Sequence, residues 1–394
     1  MTDLVAPAFR ADRCDRIAPF HVMALVERAQ QLAAAGMDVI HLGVGEPDFA
    51  TPPQIVAAGA RALADGRTRY TPALGIPALR EAIADFYRQR FGVTVLPEQV
   101  VVTPGGSGAL QLLLAALIGP GDGVLLTDPG YPCNRHFVEL VSGTPQALVL
   151  ERSNGFRVTP EQVAAAWQPN TKLLMLATPD NPTGSVLSAA ELAALAGVVA
   201  ERGGALLVDE IYQGLVYGAP VHTALAVAPD ALVLNSFSKY FGMTGWRLGW
   251  AVVPRSLVPD LDRLAQNFFL SPTTMSQYAA LAAFEPDTLA ELERRRAELA
   301  RRRALLLERL PALGLPVVGQ PDGAFYLYLD VSAFTSDSFE WCGALLEQSG
   351  VAMTPGLDFG TQHQPGHYVR VAYTADCERL EQALARVQQF LERR

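Results

Sequence analysis

Lys172-Leu-Leu-Met-Leu-Ala-Thr-Pro-Asp-Asn-Pro-Thr-Gly184 is a short apolar run that stops abruptly in polar and turn-forming residues. The design recurs along the chain. Val100-Val-Val-Thr103 leads into Gly105-Gly-Ser-Gly108, and Gly123-Val-Leu-Leu-Thr127 into Asp128-Pro-Gly-Tyr131. Ala205-Leu-Leu-Val208 leads into Asp209-Glu-Ile-Tyr212, and Ala231-Leu-Val-Leu-Asn235 into Ser236-Phe-Ser-Lys239; Leu248 to Val253 adds one more apolar run. A strand with one wet face alternates apolar and polar residues, so strands that are apolar throughout are buried on both faces. Helical patterns lie between several of them, over Ala109–Ile118 and from the cap Ser188 to about Arg202. The class is therefore α/β, with a mainly parallel sheet covered by helices. Ligands of such sheets sit at the carboxyl ends of the strands. That is where Gly106, Ser107, Tyr131, Asn181, Asp209, Tyr212, Ser236, Ser238 and Lys239 all fall.

Outward from this core the texture changes. The segment Ile17 to Ala35 has helical spacing and ends at Gly36; Val39 to Leu42 reads as a short strand running into Gly43-Val-Gly45-Glu-Pro-Asp-Phe49. After about residue 285 a long charged helix is expected from Asp287 to Leu310, then strands at Phe325–Leu329 and Tyr368–Ala372, and a last helix over Asp376–Leu391. A chain of 394 residues, half of them apolar, supports two cores. The expected division is an N-terminal arm and part of a small domain over 1–48, a large domain over 49–285, and a small α+β domain over 286–394.

The net charge is −9 and the pI about 5.2, which argues against general affinity for nucleic acid. The arginines between Arg294 and Arg303 are interspersed with Glu291, Glu293 and Glu298 and read as a solvated helix face. Cys14, Cys133, Cys342 and Cys377 form no CxxC pair, so reduced thiols and a cytoplasmic location are expected. His363 and His367 are separated by Gln364-Pro-Gly366, which blocks the helix that would align them on a metal; they read as loop histidines, and no metal is expected. Met1 to Phe20 lacks the apolar stretch of a signal peptide, and no apolar run approaches membrane-spanning length.

Of 31 cationic residues only Lys172 and Lys239 are lysines. Arginine stays protonated, whereas a lysine amine loses its proton and attacks carbonyls, so Lys239 is a candidate imine-forming nucleophile. Around it the sequence offers matched groups. Gly106 and Ser107 open a helix whose first N–H groups suit a phosphate; Ser236, Ser238 and Arg247 add hydroxyls and a donor fork. With no Walker motif and no Gly-x-Gly-x-x-Gly after a strand, a small phosphorylated aldehyde fits better than a nucleotide. Asp209, at the end of an apolar strand, needs a cationic partner such as a protonated ring nitrogen, or else caps a helix. Tyr131 offers a flat face, and Asn181 and Tyr212 offer hydrogen bonds to a ring oxygen. Arg370, between Val369 and Val371, needs an anion: a substrate carboxylate or an internal salt bridge.

These pieces together resemble the class I/II aminotransferases of the pyridoxal 5′-phosphate (PLP) fold-type I superfamily, near the aspartate/aromatic branch. The resemblance rests on Gly45-Glu-Pro-Asp-Phe49, Arg69-Tyr70-Thr-Pro, Asn181-Pro-Thr-Gly184, Asp209-Glu-Ile-Tyr212, Ser236-Phe-Ser-Lys239 with Gly245-Trp-Arg247, and Tyr368-Val-Arg370, in the family's order over residues 15–390. It implies a large domain with a mainly parallel seven-stranded sheet and a smaller α+β domain from the terminal segments. It also implies ping-pong transamination between an L-amino acid and a 2-oxo acid. In the roles it implies, Lys239 holds PLP as an internal aldimine and shuttles the proton, Asp209 keeps the ring nitrogen protonated, Tyr212 and Asn181 bind the ring oxygen, and Tyr131 stacks on the ring. Gly106, Ser107, Ser236, Ser238 and Arg247 hold the phosphate, and Arg370 with the Gly45 backbone binds the substrate carboxylate. Tyr70 reaches the phosphate of the partner subunit, which implies a homodimer with shared sites.

Two other readings compete. The same motifs serve PLP-dependent β-eliminating C–S lyases. A non-catalytic sensor on this fold would carry a DNA-binding domain first, whereas the pattern here starts near residue 15. The substrate side chain is not legible: Arg10, Arg13, Arg16 and Arg135 are candidates for a distal carboxylate, and Phe20, His21 and Phe268 for the pocket wall. The phosphate-loop position that carries lysine in some relatives is Ser107 here, which weakens a carry-over of aspartate specificity.

Overall fold

The structure is a computed structural model and describes residues 9–393. Its strands run in chain order as β1 (Ile40–His41), β2 (Val100–Thr103), β3 (Gly123–Asp128), β4 (Thr144–Val149), β5 (Thr171–Ala177) and β6 (Ala205–Asp209). There follow β7 (Leu232–Ser236), β8 (Gly249–Val252), β9 (Tyr326–Asp330), β10 (Val351–Ala352), β11 (Thr354–Pro355) and β12 (Tyr368–Ala372). Seven of them form one sheet in the order β2-β8-β7-β6-β5-β3-β4. All pairings are parallel except those of β8, which runs antiparallel to both β2 and β7. Every residue of β2, β7 and β8 is buried, as their unbroken apolar composition demands.

Register decides where the functional residues gather. Ala177 pairs with Asp209, and Asp209 with Leu234, so β5 and β6 end level and β7 runs two residues further, to Ser236. Gly249 pairs with both Ser236 and Thr103. That places the helix opening at Gly105 beside the turn that carries Lys239. A side chain at position 249 cannot be accommodated: a Cβ would lie 2.7 Å from the Gly105 carbonyl carbon and 2.8 Å from the Gly106 nitrogen.

β4 is a strand that sequence patterning does not announce. It contains Pro145 and alternates in burial, which suits the sheet edge it occupies, where a missing N–H costs no ladder bond. The helix expected over 17–35 starts at His21 and ends at Ala34. The helix expected from Ala109 starts at Gly105, so the glycines themselves form its first turn. Ser188 caps Ala189–Glu201 through a capping box with Glu191, and Asp376 caps Cys377–Leu391.

The second unit is built on the antiparallel sheet β11-β12-β9. The N-terminal segment joins it through β1, which pairs in parallel with β10. The long helix Pro286–Ala312 bridges towards the large sheet. Its arginines are not all solvated, contrary to the sequence reading. The Arg302 side chain is 3% exposed and donates to Asp48 at 2.9 Å and to the Thr374 carbonyl at 2.6 Å, while its guanidinium lies 4.9 Å from the Phe49 ring centroid. The helix thereby pins the loop that follows β1. One continuous apolar core runs from Leu25 through the large sheet to Phe390. Among the described residues no helix is long and apolar enough to cross a membrane.

Candidate active site

A cavity of about 330 Å³ opens at the carboxyl ends of β5, β6 and β7. Gly45, Gly106, Ser107, Tyr131, Asn181, Asp209, Tyr212, Ser238, Lys239, Arg247 and Arg370 line it. Residues from seven separate stretches of sequence thus converge on one space. Its cations are Lys239, Arg247 and Arg370, and its acids are Asp209 and Asp358.

Lys239 follows β7 and donates from Nζ to the Gly45 carbonyl at 2.7 Å. Burial, reinforced by the nearby Arg370 charge and opposed by Glu46, brings its pKa down to about 8. An amine so placed is available as a neutral nucleophile near physiological pH. Asp209, at the end of β6, accepts the Ile211 N–H at 3.0 Å. Burial pushes its pKa up to about 7; that N–H and Lys239 pull the other way. A carboxylate held at this cost is stabilised by any cation brought against it.

Arg370 rises from β12 and is almost fully buried. It donates to Asn181 Oδ1 at 2.8 Å and to the Gly43 carbonyl at 2.7 Å, and its Nε has no partner. Its guanidinium lies 4.1 Å from the Tyr326 ring centroid and 4.9 Å from that of Phe359. Among the described residues its side chain forms no ion pair with an acid, so the internal salt bridge that the sequence left open is not its role. Asn181 is oriented by accepting from Arg370, which leaves its amide NH2 for another acceptor. Tyr212 shares a 2.8 Å hydroxyl–hydroxyl bond with Tyr326. The Gly45 backbone passes so close that a Cβ there would lie 2.4 Å from the Tyr326 hydroxyl oxygen.

At the other end the helix Gly105–Leu117 points its first turn into the cavity, with Gly106 and Ser107 on the wall. Ser238 and Thr244 stand beside them. Arg247 donates to the Thr244 carbonyl at 3.0 Å and keeps its side chain exposed. Helix N–H groups, hydroxyls and a guanidinium gathered here suit a phosphate. Ser236 stands behind this wall and does not line the cavity. Its buried hydroxyl lies 3.0 Å from Ser238 Oγ and accepts the Ser238 N–H at 3.1 Å, so it reaches the site through Ser238.

Tyr131 lines the cavity and is 37% exposed; Tyr70 is 80% exposed and is not part of this chain's own cavity. Phe20 is on the wall. The ring of His21 instead packs against Phe339, at 5.4 Å between centroids, and Phe268 lies away from the cavity and is exposed. None of Arg10, Arg13, Arg16 and Arg135 lines it: Arg10 pairs with Asp15, and Arg13 donates to the Leu140 carbonyl at 2.8 Å. Patterning alone missed Thr244, Tyr326, Thr354, Asp358 and Phe359, all on the wall. Tyr326 was visible as an alternating residue of the strand opposite Arg370, but its face depends on the β9–β12 register. Nothing in Gly356-Leu-Asp-Phe-Gly360 signals a site.

His363, read as a loop histidine, is buried. Its Nδ1 lies 2.5 Å from Asp128 Oδ1 and its Nε2 2.9 Å from the Tyr328 hydroxyl. Burial alone would raise the Asp128 carboxyl, but His363 and the N–H groups of Thr361 and Gln362 outweigh it and hold it below its ordinary range.

A family profile for class I and II aminotransferases matches residues 37–387. A valine–pyruvate aminotransferase from Mycobacterium tuberculosis is 40% identical over 393 residues, which cover 99% of each chain. An aspartate/prephenate aminotransferase from Thermus thermophilus is 38% identical over 384 residues, 97% of this chain and 98% of that one. The crystal structure of an aminotransferase from Mycobacterium tuberculosis superposes with a TM-score of 0.95 at 39% identity, covering 98% of this chain and 100% of that one. Aspartate aminotransferase from Thermus thermophilus, solved with maleate, gives 0.91 at 38% identity, covering 96% and 99%.

Proposed function

The chain belongs to the class I and II aminotransferases and is a PLP-dependent transaminase acting on an amino acid and a 2-oxo acid; from that premise we propose which of its residues do the work. When bound, PLP supplies an aldehyde that bonds to amines and a ring that draws electrons from the carbon bearing the substrate's amino group. Lys239 provides the amine for that aldehyde. Once released, the same amine takes and returns the proton at the substrate Cα, and its lowered pKa suits both tasks. Asp209 holds the proton on the ring nitrogen, because a buried carboxylate gains most from a cation set against it.

Asn181 and Tyr212 orient the ring through its oxygen, and Tyr131 covers one ring face. The N–H groups of Gly106 and Ser107, the Ser238 hydroxyl and the Arg247 guanidinium hold the phosphate, and Ser236 fixes Ser238 from behind. Arg370 takes the substrate carboxylate beside the Gly45 backbone. The observation that carries this reading is the meeting of Lys239, Asp209 and Arg370 in one cavity, with Arg370 buried and unmatched by an acid.

Tyr70, exposed on a loop outside its own cavity, reaches the phosphate in the partner subunit of a homodimer. The division into a large domain over 49–285 and a small domain from 1–48 and 286–394 belongs to the same reading; residues 1–8 lie outside the described ones. Four free cysteines suit the cytoplasm.

The test is the half-reaction: the cofactor form should convert with an amino acid and be restored by a 2-oxo acid in a separate step. For the shared site, Tyr70→Phe and Lys239→Ala chains are mixed. One native site per hybrid dimer should regain activity that neither variant has alone; absence of regain in a verified hybrid removes the shared-site reading.

A further inference from the structure

The roles proposed above leave part of the cavity wall with neither cofactor nor substrate carboxylate to hold. Beyond Arg370 the wall is Phe359, whose ring lies against the guanidinium, then Phe20, Val22 and Asp358. Phe20 and Val22 come from the start of the helix His21–Ala34, which has no side-chain cap of its own. Asp358 supplies the cap from 337 residues away in sequence: its Oδ1 accepts the His21 N–H at 2.7 Å and its Oδ2 accepts the Val22 N–H at 2.9 Å. Two otherwise unsatisfied donors of the first turn are answered by one buried carboxylate, and the helix N-terminus favours that charge.

We propose that Asp358 sets the choice of amino donor, fastening an apolar wall of Phe20 and Val22 over the substrate side chain and placing a negative charge where a second carboxylate would have to lie. The enzyme thereby favours donors with apolar side chains, such as valine, over aspartate and glutamate. The inference rests on Arg370 taking the carboxylate that all amino acids share. Each cation of the cavity already has an assignment: Lys239 to the cofactor aldehyde, Arg247 to the phosphate and Arg370 to that common carboxylate. Among the described residues of this chain none remains for a distal carboxylate. An acidic side chain entering this end would meet aromatic and aliphatic surface and a like charge, an arrangement that rejects by desolvation and repulsion together.

The test uses the holoenzyme and half-reaction rates with valine, leucine, alanine, aspartate and glutamate as donors. In the wild type, kcat/KM for valine should exceed that for aspartate at least tenfold. Asp358→Asn keeps an acceptor for the helix but removes the charge, and should narrow that ratio at least fivefold, mainly through a lower KM for aspartate. A lesion of structure alone would lower all donors together and leave the ratio in place. Val22→Arg, which leaves the cap intact and adds a cation to the wall, should shift the ratio towards aspartate in the same direction. A wild-type preference for aspartate, with a normal half-reaction, overturns the side-chain assignment but not the role of Arg370. An unmoved ratio in both variants does the same. If no amino acid drives the half-reaction, the use of this cavity for substrate falls, and this inference with it.

Discussion

The Arg370 guanidinium donates to Asn181 Oδ1 at 2.8 Å, joining a strand of the small sheet to the turn that follows β5 of the large one. In the roles proposed above, the residue that takes the substrate anion is thus tied to one that orients the cofactor. Arg370→Ala should lower kcat/KM for every amino donor by roughly 10²–10³-fold, as for truncation of one member of a buried, hydrogen-bonded charge pair. Arg370→Lys should recover little, since a point charge cannot reproduce the planar fork. Stopped-flow half-reactions at several donor concentrations would check both, with the cofactor spectrum confirming that the site is otherwise loaded.

The role proposed for Arg247 is to hold the phosphate and nothing else. Arg247→Ala should weaken PLP by about 10–100-fold, the loss of one charge-assisted contact or a pair of them. Affinity for pyridoxal, which lacks the phosphate, should hardly change. Equilibrium dialysis with the two compounds separates this from a general collapse of the site, which would weaken both.

Asp209 connects stability to function through its proton. Its folded-state pKa is raised from an ordinary 3.8 to about 7, so in the cofactor-free protein the folded state holds that proton more tightly than the unfolded chain does. The associated stability is present below about pH 4 and is lost as pH rises through 7. Asp209→Asn avoids the buried charge. Without cofactor, the variant should be more stable than the wild type at pH 8 by on the order of 2–4 kcal/mol, with the gap closing towards pH 4. It should bind PLP more weakly at pH 8, because the ring nitrogen has lost its counter-charge. Denaturant titrations at the two pH values, with and without PLP, read all three effects.

Gly45 is constrained by contact. A Cβ at this position would lie 2.4 Å from the Tyr326 hydroxyl oxygen, the atom bonded to Tyr212 at 2.8 Å. Gly45→Ala must displace Tyr326 and, with it, the Tyr212 hydroxyl. The half-reaction should slow by about tenfold or more while PLP remains bound, because small misplacements near reacting atoms are costly. A difference spectrum of the bound cofactor, together with the rate, would check it.

Much of this was legible in the sequence because the large sheet announces itself. Strands such as Val100–Thr103 and Leu232–Ser236 are apolar on both faces and stop where chemistry begins, so the residues after them can be named without coordinates. The arginine-rich composition made Lys239 conspicuous for the same kind of reason. What stayed hidden depends on register or on partners distant in sequence. Thr144–Val149 is an edge strand, and its mixed face looks like a loop. His363 lies in a proline- and glycine-rich stretch, and only folding brings Asp128 and Tyr328 to its two nitrogens. Asp358 caps a helix that begins 337 residues earlier, a relationship that no local pattern records. The side-chain end of the cavity was opaque for that reason, while the cofactor end was not.

The Lys239 amine is the proposed point of covalent attachment for the cofactor. Borohydride reduction of the PLP-loaded protein, followed by peptide mapping, tests it directly. A single pyridoxyl-modified peptide containing Lys239, absent from Lys239→Ala, is expected. A pyridoxyl group on Lys172, or on no lysine in fully loaded protein, would contradict it.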